Sequence, residues 1–293
     1  MVNTFNSGTY KEEYETMLQK RLNKPTNWKE ICDVKYSTSQ IINWPYMSTV
    51  FSVQTGTRGS AYGYSDFALT NDTLTINTKK LVPVYVDWAD WAQCQYADKV
   101  EIGSRQGALI SEQLESAVLA THASWTDFGD LGGGSYGLGS TPITVSTSNI
   151  DDIVSGVKRE ILVANGLEMM NEYGVFFEWR PADFEKLEKF LQASGYNLAD
   201  QTLKEGIMTK KGYYALGAYH YVSNSHTTNH VFAGVRKVLR LGILSSTFGR
   251  LFYGESPSNG DGRLSGNEHV ARVDYGTQIP AGYSTILFDV NVV

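Results

Sequence analysis

Between Glu101 and Ala123 the chain reads EIGSRQGALISEQLESAVLATHA, with Ile110, Leu114, Ala117 and Val118 returning at the spacing of one helical face. The pattern predicts one helix over 101–123, and at 1.5 Å per residue such a helix is about 35 Å long, enough to cross a whole domain. Its apolar stripe is thin. That suits a rod laid on a sheet.

The flanking sequence supplies strands for it. TLTINTK from Thr73 alternates Leu74, Ile76 and Thr78 against Thr75 and Asn77, and LVPVYVDW alternates Val82, Val84, Val86 and Trp88. Pro83 has no donor for a ladder and requires a free edge or a bulge. Further on, Ser148 is a candidate N-cap with Asp151 at N3, opening a helix that buries Ile150, Ile153, Val154, Val157 and Ile161. VFFEW, 175–179, reads as a short buried strand. It leads into PADFEKLEKFLQAS, a helix opened by Pro181 and closed by Gly195, with Phe184, Leu187 and Leu191 inward. YYALGAYHYV is strand-like. A fourth helix is expected from Thr228 to Leu241, with Val231, Phe232, Val235, Val238 and Leu239 on one face. HVARVDYG and YSTILFDVNVV alternate as closing strands.

At the other end, TYKEEYETMLQKRL predicts a helix from Thr9 to Leu22, with Thr9 and Glu12 as a capping box and Pro25 as its stop. Residues 26–65 are polar, aromatic and turn-rich. They read as an arm that needs neighbours to fold against. Eighteen tyrosines, 12 phenylalanines and 6 tryptophans in 293 residues point the same way, since these residues are enriched at protein interfaces as well as in cores.

A net charge of −6 argues against a broad grip on a nucleic-acid backbone, which clustered Lys and Arg would drive. Cys32 and Cys94 are too few for a disulfide framework, and the opening MVNTFNSGTYKEEYE lacks the basic and then apolar pattern of a signal peptide. No apolar run approaches the roughly 18 residues of a membrane span. The expectation is a chain made in a reducing cytoplasm with both thiols free.

Residues 131–140, LGGGSYGLGS, match two active-site templates at once: G-x-G-x-x-G at Gly132, Gly134 and Gly137, and G-x-S-x-G around Ser135. Both templates need a strand before the loop and a helix starting within it, whereas SWTDFGDLG precedes and Pro142 follows. With 28 glycines in the chain, such coincidences are common. The stretch reads as a linker over 129–148 whose glycines, Gly132, Gly133, Gly134, Gly137 and Gly139, form a hinge. His220, His226, His230 and His269 find no carboxylate or cysteine at ligand spacing and read as surface or capping residues, and Asp87, Asp90 and Asp98 as caps or turns. No catalytic residue, cofactor site or metal site is assigned.

The order of these parts resembles the major capsid proteins of tailed bacteriophages, the Hong Kong 97 type fold. TLTINTKKLVPVYVDWADWAQCQYADKVEIGSRQGALISEQLESAVLATHASW resembles the family's passage from extended hairpin to spine helix, with its mid-helix acid near Glu115. GVFFEWRPADFEKLEKFL is similar to its axial strand, proline and helix. AYHYVSNSHTTNHVFAGVRKVLRLGI resembles a later segment whose strand ends in Ser223 and Asn224, and HVARVDYGTQIPAGYSTILFD the closing strands, with Tyr275, Gly276 and Pro280 in place.

The resemblance implies an α+β fold divided into an N-terminal arm (1–45), an extended hairpin or E-loop (46–86), a peripheral domain with the spine helix (87–128), the glycine-rich linker, an axial α/β domain (149–255) and C-terminal strands completing the sheets (256–293). It also implies pentamers and hexamers of an icosahedral virion shell around double-stranded DNA, without sequence-specific binding, membrane contact or enzymatic activity. Hairpin contacts between subunits would fall at Arg58, Tyr62, Tyr64, Lys79 and Lys80. The segment before the hairpin is short for a fused scaffold, so a separate scaffold protein is implied, with a portal and a decoration protein as further partners. Lysine–asparagine crosslinking, found in some members, is not carried over. An encapsulin-like compartment is the runner-up within the fold, and a cytosolic α/β enzyme using the glycine loop the alternative outside it.

Overall fold

The computed structural model describes residues 24–47, 53–59, 61, 63, 68–87, 99–194, 213–225, 229–246, 250–255 and 266–293. The helix expected over Thr9–Leu22 lies outside them. The described residues open with a single turn, α1 (Trp28–Ile31), and strands β1 (Asp33–Ser37), β2 (Ile41–Met47), β3 (Leu69–Thr75) and β4 (Thr78–Asp87). The long helix α2 (Lys99–Leu119) ends in a 3₁₀ turn, Ala120–Ser124, and is followed by β5 (Thr126–Gly132) and β6 (Ser135–Leu138). Then come α3 (Ile150–Val163), α4 (Leu167–Tyr173), β7 (Val175–Trp179) and α5 (Pro181–Ala193). The described last part is mostly strand: β8 (Tyr213–Ala215), β9 (Ala218–Val222), β10 (His230–Val235), β11 (Arg240–Leu244), β12 (Arg250–Glu255), β13 (Gly266–Gln278) and, after a 3₁₀ turn at Tyr283–Ile286, β14 (Leu287–Asn291).

Three sheets result. A seven-stranded sheet runs β6-β5-β14-β10-β7-β9-β8, mixed in direction, and carries most of the large buried side chains. A five-stranded sheet is organised by β13, the longest strand, which pairs with β4 on one side and with β12 and then β11 along the other; β1 adds parallel to β11. β2 and β3 make a separate antiparallel ribbon.

Helix α2 lies across two of these sheets, because its buried positions change partner along its length. Gln106 is 1% exposed and donates from Nε2 to the carbonyls of Val82 on β4 and His269 on β13, at 2.7 and 2.8 Å. One and two turns later Ile110 and Leu114 enter the main core, followed by Val118. Beyond them the 3₁₀ turn reaches β14 through His122. The rod expected from the thin apolar stripe is therefore present, spanning Lys99–Leu119.

Several expectations need correction. The run over 228–241 is not a helix. It is β10, a turn with Lys237 at φ 61°, and β11. β10 sits between β14 and β7 with nearly every residue buried, so both faces are apolar and no period-2 alternation remains to distinguish it from a helix.

The first part of the glycine-rich linker is ordered as a strand pair. It is the β5–β6 hairpin at the edge of the seven-stranded sheet, turning through Gly132, Gly133 and Gly134 at φ 87°, 64° and 79°. Three successive left-handed residues suit glycine alone. Asp130 caps the turn by accepting the Gly132 N–H at 2.7 Å.

Part of the expected arm packs on its own chain. Trp28, Ile31 and Cys32 are in the main core, the Trp28 indole donates to Ser111 Oγ, and β1 completes the five-stranded sheet. The ribbon hairpin is framed by β2 and β3, so its stem starts at Ile41 and ends at Thr75, while β4 belongs to the five-stranded sheet.

At α3, Asn149 rather than Ser148 is the N-cap. Its amide donates to the Tyr136 hydroxyl and the Thr144 carbonyl, so it braces the β6–α3 connection. His220 and His269 are buried rather than on the surface.

Candidate functional site

Three features have the geometry of functional parts: an apolar ribbon, a buried carboxylate pair and a histidine cluster. The ribbon β2–β3 exposes Ile41, Tyr46, Met47 and Leu69, and Val53 beyond its end. An isolated two-stranded ribbon is marginal in water, and its stability here comes from its base. There Ile42, Leu74 and Ile76 cluster with Leu244, and Arg240 stacks over the Trp44 ring at 4.4 Å while reaching Asp72 at 3.4 Å. The outer part is left bare. Such a projection gains stability when a neighbouring surface covers it, at about 25 cal/mol per Å2 of apolar area.

Of the residues expected to make contacts between subunits, Arg58 is exposed beyond the ribbon. Lys79 and Lys80 are exposed on β4, opposite Asp274 and Val273 of β13. Tyr62 and Tyr64 lie outside the described residues.

The second feature joins four elements in the core. Glu115 from α2 and Glu178 from β7 are both fully buried. Glu115 Oε2 accepts the Asn27 backbone N–H at 3.0 Å, while the Asn27 amide donates to Glu178 Oε1 at 3.2 Å and to the Val222 carbonyl at 3.0 Å. Burial first, and then the Glu115 charge, push the Glu178 carboxyl well above the usual carboxylate range; burial also raises Glu115, against hydrogen bonds that favour its charge. The remaining oxygens, Glu115 Oε1 and Glu178 Oε2, find no other hydrogen-bond partner among the described residues, and two bare carboxylates would repel each other. One shared proton would resolve both facts, with Glu178, the more strongly raised of the two, holding it toward the Glu115 carboxylate. The pair thus fastens the spine helix, the segment before α1, β7 and the end of β9 at one point.

The third feature lies on the same face of the sheet, two strands away. Asp289 of β14 has both oxygens engaged, with His122 Nδ1 at 2.8 Å and His230 Nδ1 at 2.7 Å. A carboxylate only accepts, so each imidazole carries its proton on Nδ1 here. Phe232 of β10 underlies both rings, 5.3 Å from His122 and 6.3 Å from His230 by centroid. Sequence spacing hid this cluster, since Asp289 is 167 residues from His122 and 59 from His230.

The glycines divide into two groups. A Cβ at Gly132, Gly133 or Gly134 would meet nothing, so only backbone conformation demands glycine there. At Gly137 it would come within 2.8 Å of Leu131 Cδ1, and at Gly139 it would sit in ordinary contact with the same side chain. Ser135 is an exposed strand residue beside an open turn, and no helix starts within the loop, so neither the phosphate nor the nucleophile template has its scaffold.

No protein-family model matches the sequence, and no curated protein is significantly similar to it. Solved structures do match, over almost the whole chain. A capsid structure of the cyanophage P-SCSP1u aligns at 13% identity and TM-score 0.61, covering 98% of this chain and 94% of that one. A chain of Gordonia phage Cozz aligns at 12% identity and TM-score 0.66, covering 98% and 92%. The capsid of Ralstonia phage GP4 aligns at 8% and 0.62, covering 100% and 98%. The protein has the fold of the tailed-phage capsid proteins, the α+β Hong Kong 97 type, as the order of its parts implied.

Proposed function

We propose that this chain is the major capsid protein of a tailed bacteriophage, a structural protein of the virion that assembles with itself into a shell around double-stranded DNA. The observation that carries this reading is the alignment of the whole chain, rather than of one module, with capsid structures. The ribbon β2–β3 supports it, because it projects exposed apolar side chains that the other described residues do not cover.

In this reading the spine helix and the five-stranded sheet form the peripheral domain, and the seven-stranded sheet with α3, α4 and α5 the axial domain. Pentamers and hexamers form around the latter. The ribbon, with Arg58, Lys79 and Lys80, laps over a neighbour, and Gly132, Gly133 and Gly134 let the β5–β6 hairpin adapt between five-fold and six-fold environments. A separate scaffold protein, a portal and a decoration protein complete the particle, and the chain itself performs no catalysis.

Expression of the chain with and without its neighbouring phage genes, followed by size-exclusion chromatography and negative-stain microscopy, tests the proposal. Shells, rings or tubes of many copies are expected. A chain that stays a monomer or dimer at high concentration in both settings overturns it.

A further inference from the structure

We propose that His122, His230 and Asp289 form a binding site for one divalent transition-metal ion of the zinc class. The three ligand atoms lie within 4.8 Å of one another and come from three separate parts of the fold: the 3₁₀ turn after α2, the first residue of β10, and β14. Two imidazole nitrogens and one carboxylate oxygen are a donor set for zinc, cobalt or nickel. Calcium and magnesium prefer oxygen alone.

The site is built rather than incidental. The Asp289 side chain is 6% exposed and held by its strand, so its position costs little to fix on binding. The aromatic floor of Phe232 sets the tilt of both imidazoles. On the open side the two rings are 20% and 23% exposed, which leaves a path for the ion and room for a fourth ligand. Asp127, exposed on β5 and in parallel register with Asp289, adds negative charge to the same sheet face.

The distances of 2.8 and 2.7 Å from imidazole to carboxylate are those of hydrogen bonds. Around a tetrahedral ion with bonds of about 2.0 Å, ligand atoms stand about 3.3 Å apart, so the ring that is hydrogen-bonded to the liganding oxygen moves out by roughly half an ångström, while the atoms now spread over 4.8 Å draw in. Part-exposed rings have that freedom. Each Nδ1 gives up its proton to solvent as its lone pair takes the metal, and in the bound state the ring's N–H is on Nε2. Once bound, the ion ties the end of the spine helix to two central strands of the seven-stranded sheet.

The test uses the full chain, stripped with EDTA and titrated with Co2+ and then Zn2+. One equivalent of Co2+ with visible d–d absorption is expected, displaced by Zn2+ and not by Mg2+ or Ca2+, together with a rise in melting temperature on adding Zn2+. His122→Gln and His230→Gln should each abolish saturable uptake. Should either variant fail to fold, imidazole NMR of the wild type gives the same answer, because Zn2+ should shift only two of its five histidines. Absence of stoichiometric uptake by the wild type, uptake retained in either folded variant, or Zn2+-induced shifts at other histidines overturns the assignment.

Discussion

Gly242 and Gly276 stand opposite each other across β11 and β13, and the base of the β2–β3 ribbon rests in the groove their missing side chains leave. A Cβ on Gly242 would lie 2.6 Å from Leu74 Cδ2, and one on Gly276 2.2 Å from the Thr75 carbonyl oxygen. The ribbon's departure angle is therefore set by two glycines that belong to a different sheet. Gly276→Ala meets backbone and should destabilise the fold by about 1–3 kcal/mol, whereas Gly242→Ala meets the movable end of a side chain and should cost less. Urea unfolding ranks the two, and limited proteolysis within the ribbon should quicken in the same order.

The shared proton of Glu115 and Glu178 gives stability a definite slope with pH. Folded-state pKa values above the unfolded ones mean that the native chain holds more protons, so the pair's contribution is complete below the ordinary carboxylate pKa of about 4.3 and is lost as pH rises toward the folded values. Glu178→Gln keeps a donor facing Glu115 without a titrating proton. It should flatten this slope and leave the protein at least as stable at neutral pH, while Glu178→Ala should cost about 3–5 kcal/mol by stranding the Glu115 charge. Urea unfolding from pH 4 to 8 separates the two, and equal losses in both variants would refute the shared proton.

His220 predicts the opposite slope. It is buried against Phe177, accepts the Trp179 indole N–H on Nδ1 at 2.9 Å and donates from Nε2 to the Ala215 carbonyl at 3.0 Å, so the neutral ring is fully paired. Burial, the first cause, lowers its pKa from 6.5 to about 4. Its contribution is present above pH 6.5 and is lost as pH falls toward 4, a change of about 3 kcal/mol in all. In a folded sample above pH 5 its imidazole resonances should not titrate.

The β5–β6 turn separates conformational from steric demand. Gly133→Ala should cost about 1 kcal/mol, because φ is 64° but nothing surrounds the new methyl. Gly129→Ala should cost several times more, since its Cβ would fall 2.4 Å from the Thr141 carbonyl oxygen. Thermal melts of the two variants test the ranking. Hydrogen exchange at Gly133 in assembled particles then tests the adaptable-turn proposal, which predicts weaker protection there than in β5.

Elements with one wet face were legible from sequence. The inward side of α3, from Ile150 to Ile161, and the proline start of α5 follow from periodicity and capping alone. Elements buried on both faces were harder: β7 was legible as a buried strand because it is short and bounded, whereas β10 with β11 read as a helix because Val231, Phe232, Val235, Val238 and Leu239 also fit a helical face, although Gly234 in mid-run was a warning. Its Cβ would meet the Ile286 carbonyl oxygen at 2.7 Å, a long-range contact that spacing cannot encode.

Glycine density suggested a slack linker because a glycine in a tight turn and one in a flexible tether look alike as letters. Glu178 had left a trace, a lone charge within the apolar run VFFEW, and such a residue calls for a buried partner. Spacing along the chain could not show that His122 and His230 meet at Asp289, because the two imidazoles come from distant parts of the chain.

The spine helix is held at two points by unlike means, amide-to-backbone hydrogen bonds from Gln106, two turns in from its start, to one sheet and the buried Glu115–Glu178 pair, one turn from its end, to another. A stiff strut clamped in this way cannot tilt against one sheet without applying torque to the other. The five-stranded sheet also seats the ribbon on Gly242 and Gly276, so a few degrees of rotation in the seven-stranded sheet would be geared, through a single helix, into a sweep of the ribbon's far end.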